Sequence, residues 1–95
     1  MMLRWTVPAE KGNEAIRTGA IAETIEDLLK ELTPEAAYFF ADGGKRAGMM
    51  FFDMDDPSQI PQLAEPLFQR LDASVEFVPV MNAEDLRKAL LKVSS

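Results

Sequence analysis

The stretch PEAAYFFADGGKRAGMMFFD, residues 34–53, decides the fold. Two runs rich in aromatic and apolar residues flank Asp42-Gly43-Gly44-Lys45. That is the composition of a tight hairpin turn, because glycine reaches positive φ without a Cβ clash. With Gly43-Gly44 as a two-residue loop, Asp42 pairs with Lys45, Phe40 with Ala47 and Tyr38 with Met49. One face of the hairpin then carries Tyr38, Phe40, Ala47, Met49 and Phe51. The other carries Ala37, Phe39, Ala41, Gly48, Met50 and Phe52. Moving the loop to Asp42-Gly43 changes the partners but not the faces, since side chains repeat every two residues. Both faces are apolar. A sheet covered by helices on one side only has a polar second side, so this hairpin calls for a cover on each.

Upstream, Leu3, Trp5 and Val7 alternate with Arg4 and Thr6, which predicts a strand ended by Pro8. Lys11-Gly12-Asn13 reads as a loop with Asn13 as helix N-cap. Ile21, Ile25, Leu28 and Leu32 follow the spacing of one helix face, and Ile16 falls nearly opposite it. Gly19 lies between the two sets, so a short turn over 13–18, a break at Gly19 and a main helix over 20–32 are expected. Thr33-Pro34 stops that helix.

Downstream, Asp56 or Ser58 is placed to cap a helix with Pro61 in its first turn. Ile60, Leu63, Ala64, Leu67 and Leu71 form its apolar stripe, and Pro66 is expected to kink it. Residues 75–80 predict a strand whose Pro79 marks a sheet edge. Asn82 and Asp85 make a capping-box variant that opens a last helix, with Leu86, Ala89, Leu90 and Val93 expected inward.

Strand, helix, hairpin, helix, strand is the split βαβ or ferredoxin-like order, here with an added C-terminal helix. Right-handed crossovers predict a four-stranded antiparallel sheet in the order 4-1-3-2, an α+β fold in one domain over residues 1–95. The open sheet face is most simply buried by a second copy about a two-fold axis.

Composition narrows the chemistry. The chain has 95 residues, no cysteine and no histidine, and a formal charge of −6. Disulfides, thiolate chemistry and the commonest general base and metal ligand are all missing. The acidic balance disfavours nucleic acid and anionic membranes as partners. No apolar run approaches the roughly 20 residues of a membrane span, and the N-terminus does not read as a signal peptide, so a cytoplasmic location is expected.

Pro34-Glu35-Ala36-Ala37-Tyr38-Phe39, Asp42-Gly43-Gly44-Lys45-Arg46, Phe51-Phe52-Asp53-Met54, Asp56-Pro57-Ser58-Gln59-Ile60-Pro61 and Pro79-Val80-Met81-Asn82 carry a resemblance. Over its whole length the chain resembles the dimeric α/β-barrel superfamily, and within it an uncharacterised bacterial family of unknown function. The resemblance implies a homodimer paired sheet to sheet. It also implies a superfamily that includes cofactor-free monooxygenases, muconolactone-type isomerases and haem enzymes, many with a ligand pocket between sheet and helices. The haem branch usually uses an axial histidine, which is absent here, and no cofactor is expected.

Trp5 is the candidate pocket wall, with a plain core role as the alternative. Asn13 and Arg17, one helical turn apart, are candidates for binding a carboxylate or enolate oxygen, and Tyr38 is a candidate ligand hydroxyl. Arg4 and Glu76, on neighbouring strands opposite Trp5, are candidates for an ion pair in the dimer interface, together with Met50 and Phe52. Asp53, Asp55 and Asp56 lack the glycine and distal glutamate of a calcium loop, so no metal is expected. The function expected is non-enzymatic: binding of a small apolar or amphipathic molecule, or assembly. The alternative is a cofactor-independent monooxygenase or isomerase acting on a small carbonyl or aromatic compound.

Overall fold

A computed structural model describes residues 1–94. Among them the chain runs β1 (Met2–Val7), α1 (Ala9–Thr18), α2 (Ala20–Leu32), β2 (Ala36–Asp42), β3 (Lys45–Phe51), α3 (Gln59–Leu71), β4 (Ser74–Val78) and α4 (Ala83–Ser94). The strands form one antiparallel sheet in the order β2-β3-β1-β4, the expected order read from the other edge. The fold is α+β.

Local chemistry sets the boundaries. Gly43 and Gly44 both take positive φ, 59° and 80°, and the hairpin pairs Asp42 with Lys45, Phe40 with Ala47 and Tyr38 with Met49. Gly19, at φ 83°, donates its N–H to the Ile16 carbonyl and accepts from the Glu23 N–H, so one residue ends α1 and begins α2. The start of α1 differs from expectation. It begins at Ala9, directly after Pro8, whose carbonyl accepts the Gly12 N–H at 2.8 Å. Lys11-Gly12-Asn13 is therefore helical and Asn13 is no N-cap. A Cβ on Gly12 would lie 2.9 Å from Arg46 Nη1, the far end of a flexible side chain, and 3.5 Å from Val7 Cγ1, an ordinary contact.

Register sorts the strand residues into two faces, because residues directly opposed in a sheet point the same way. On the helix-covered face Leu3 lies between Met50 and Phe77, and Trp5 between Gly48 and Val75. These join Leu28, Leu63, Leu67 and Leu71 in the core. On the open face Met2 neighbours Phe51, Arg4 neighbours Met49 and Glu76, and β2 contributes Tyr38 and Phe40. Both faces are thus apolar, as the hairpin indicated. Met50 and Phe52 are corrected: they are 0% and 4% exposed beneath the helices and cannot meet a partner at the open face. Met49 and Phe51 occupy that position instead.

The C-terminal third brings two further corrections. β4 is an edge strand, but it ends at Val78, and Pro79 stops it rather than lying within it. The Asn82–Asp85 capping box is formed: the Asp85 N–H donates to Asn82 Oδ1 at 2.8 Å, and the Asn82 N–H to Asp85 Oδ2 at 3.3 Å. The helix that it opens does not face inward. No residue of α4 is buried, and Leu86, Leu90 and Val93 are 44%, 54% and 82% exposed. The capping box fixes where a helix starts and carries no information about what the helix packs on. α3 runs unbroken through Pro66.

Candidate functional site

The site is built on β1 and β3. Trp5, on the helix-covered face, opposes Gly48 across the β1–β3 pair, and Gly48 opposes Phe39 across β3–β2. With no side chain on Gly48, the indole lies over its Cα and meets Phe39 edge-on, with ring centroids 6.2 Å apart at 63°. α2 runs above but does not close over β2, so Phe39 stays 53% exposed. The result is a cleft of about 360 Å³ between α2 and the hairpin, walled by Trp5, Val7, Ile21, Ile25, Phe39 and Leu71.

Among the described residues Arg46 is the only titratable one lining this cleft. Its Nη1 donates to Asn13 Oδ1 at 3.0 Å, and the side chain crosses Gly12. A neutral amide uses part of the guanidinium's five N–H donors, and among the described residues no carboxylate pairs with it. The cleft is an apolar slot with one cation at its rim. A second hollow, at the far end of the sheet, is lined by Glu31, Glu35, Asp53 and Asp55 and is strongly acidic.

The residues singled out from the sequence divide between these surfaces. Trp5 is both core aromatic, 3% exposed, and cleft wall. Asn13 reaches the site indirectly, by holding Arg46. Arg17 is exposed in the last turn of α1 and does not line the cleft. Tyr38 is on the open face, edge-on to Phe51 at 6.5 Å, on the opposite side of the sheet from Trp5. The four therefore do not converge.

On the open face Arg4 and Glu76 are register partners, yet Arg4 Nη2 turns the other way and pairs with Asp42 Oδ2 at 2.6 Å. In doing so the guanidinium lies 5.6 Å over the Phe40 ring, a cation–π contact that Glu76 has nothing to match. Glu76 is left exposed.

Residues 1–94 match the family described as Domain of unknown function (DUF3303). The chain belongs to that family. Among curated proteins none matches this DUF3303 chain.

Two site residues of the DUF3303 chain escaped sequence reasoning. Neither Arg46 nor Phe39 was among the candidate residues named from the sequence. The signal for both was the register itself, which puts Arg46 opposite Val7 and Phe39 opposite Gly48. The acidic loop of the DUF3303 chain works as a helix start. Asp56 Oδ1 accepts the Ser58 N–H at 2.8 Å, and Gln59 Oε1 accepts the Asp55 N–H at 3.1 Å. The Ser58 bonds hold the Asp56 carboxyl below its usual pKa. Among the described residues no three carboxylates gather to hold a metal ion, and no helix is long and apolar enough to cross a membrane.

Proposed function

We propose that this chain is a non-enzymatic homodimeric module that holds a small amphipathic anion, its apolar part in the Trp5–Phe39 cleft and its charged end on Arg46. The observation that carries the reading is the cleft's chemistry. The apolar walls supply burial at about 25 cal/mol per Å² of apolar surface, and one guanidinium with no carboxylate partner among the described residues supplies orientation. A general acid or base would need a second titratable group at the walls, and Asn13, Arg17 and Tyr38 do not provide one. That weighs against the oxygenase or isomerase alternative.

The dimer half of the proposal is the ferredoxin-like, dimeric α/β-barrel arrangement in which two open sheet faces meet. It is supported by the apolar centre of that face, where Met2, Met49, Phe51, Tyr38 and Phe40 gather around Arg4–Asp42. Isologous pairing covers this surface with its own copy.

Trp5 is the chain's only tryptophan, so its emission reports on the cleft alone. Titration with a fluorescent naphthalene sulfonate is expected to quench Trp5 saturably, and Arg46→Ala to weaken binding about tenfold, the loss of one charge-assisted contact. Emission that does not respond to the probe overturns the binding reading. Light scattering tests the dimer separately, and a folded monomer at micromolar concentration removes it. Mass spectrometry of molecules that copurify with the protein then identifies the natural class.

A further inference from the structure

α4 is an amphipathic helix whose apolar side is left largely exposed. At about 100° per residue Leu86, Ala89, Leu90 and Val93 fall within a stripe roughly 100° wide, the width of a core-facing helix surface. Yet none of them is buried. The cost shows in the shape of the whole chain. Its radius of gyration is 15.4 Å, against about 12.4 Å for a compact domain of this length. Its accessible surface is 6353 Å², where a compact monomer of 10.6 kDa exposes roughly 5,500 Å². The excess, about 900 Å², is close to the ~800 Å² that each partner buries in a standard stable interface.

The same chain has a matching vacancy. The α2–β2 groove that forms the cleft leaves Phe39 exposed and has no helix over it. A twelve-residue helix is about 18 Å long, close to the length of the thirteen-residue α2 beside which it would lie. Of the acids on α2, Glu23 and Asp27 face Arg70 of α3 and Glu31 lines the same side, which leaves Glu26 to meet Arg87 of α4. Topology prevents α4 from reaching this groove in its own chain by a short path. It follows β4, and β2 is the opposite edge of the sheet. A two-fold axis along the strands, with open faces together, reverses the strand order of the second copy and sets β4 of one over β2 of the other.

We infer that α4 of each protomer crosses to a second copy of this chain and lies along its α2–β2 groove, so that Leu86 and Leu90 roof the Trp5–Phe39 cleft. This inference rests on the homodimer proposed above. Each binding site is then completed by the other subunit, and an occupied cleft and a docked α4 stabilise one another.

The cysteine-free chain allows a clean test. Phe39→Cys and Leu90→Cys are made separately, at exposed positions, then mixed, allowed to exchange subunits and oxidised. The expected product is a disulfide-linked heterodimer joining the two variants as the dominant species, lost entirely when either variant is replaced by the unsubstituted chain. A dimer by light scattering that gives no such cross-link, or gives only Leu90→Cys linked to itself, overturns the inference and leaves the dimer standing. A monomer by light scattering overturns both. As a second readout, Leu90→Lys is expected to raise the dimer dissociation constant at least tenfold, and an unchanged constant counts against exchange.

Discussion

Trp5 and Gly48 face each other across β1 and β3, and the indole occupies the space that a side chain on Gly48 would fill: a Cβ there would lie 2.7 Å from Trp5 Cη2. The next residue along β3, Ala47, lies on the other face, where Arg4 reaches over the strand to Asp42. Two small residues in succession thus let two long side chains from β1 span β3, one on each face. The Trp5 side becomes the cleft, and the Arg4 side becomes the centre of the open face.

Gly48→Ala should therefore destabilise the chain by about 1–3 kcal/mol, the usual penalty for overpacking a well-filled site. If the cause is the indole, pairing it with Trp5→Leu restores part of the loss. Denaturant melts of the two single variants and the double variant measure this coupling, expected to be at least 0.5 kcal/mol in size for residues in contact. Strictly additive losses would mean that the glycine serves β3 for some other reason.

Most of the fold was legible because it rests on local rules. The Gly43-Gly44 turn sets the register, Gly19 separates two helices, and Asn82–Asp85 starts α4. Each depends on residues close in sequence. What sequence hid depends on residues far apart. Gly12 looked like a loop glycine because its neighbour Arg46 is 34 positions away, and Asn13 looked like a cap for the same reason. Met50 and Phe52 were assigned to a partner because two apolar hairpin faces are indistinguishable until Leu3 and Trp5 choose one of them. The α4 stripe was read correctly as apolar, but periodicity says only that a helix has a face to bury, not within which chain.

The open face yields a direct prediction. Met49 lies beside Arg4 at its centre. Met49→Lys adds a second positive charge there, and the two-fold axis of the proposed dimer would double it. Sedimentation equilibrium is expected to show at least a tenfold weaker dimer, with the far-ultraviolet circular dichroism of each chain unchanged. A dimer as tight as before would place the interface elsewhere.

Thr24 gives a stabilising prediction. It is fully buried between α2 and α3, and among the described residues its Oγ1 has no hydrogen-bond partner. Valine keeps the β-branched shape and removes the stranded hydroxyl, so Thr24→Val should stabilise by about 1 kcal/mol, whereas Thr24→Ala leaves a cavity and should not. Thermal melts decide this. A fall in melting temperature for the valine variant would reveal a partner for the hydroxyl, such as an ordered water.

Asp56 provides the pH dependence. Its carboxylate accepts the Ser58 N–H just ahead of α3, and that bond holds its pKa below the ordinary value. A carboxyl depressed in the folded state binds its proton more weakly there than in the unfolded chain. Its contribution to stability is therefore complete above the ordinary aspartate pKa, about 3.9, and is lost as pH falls through the lower folded value. Asp56→Asn keeps an acceptor oxygen but loses the charge. The advantage of the natural chain over this variant is expected to hold constant from neutral pH down to about pH 4 and to shrink with further acidification. Paired melting curves across that range test the sign. An advantage that grows below pH 4 would mean that the N–H bond is made to the protonated acid, and that Asp56 does not start the helix as a carboxylate.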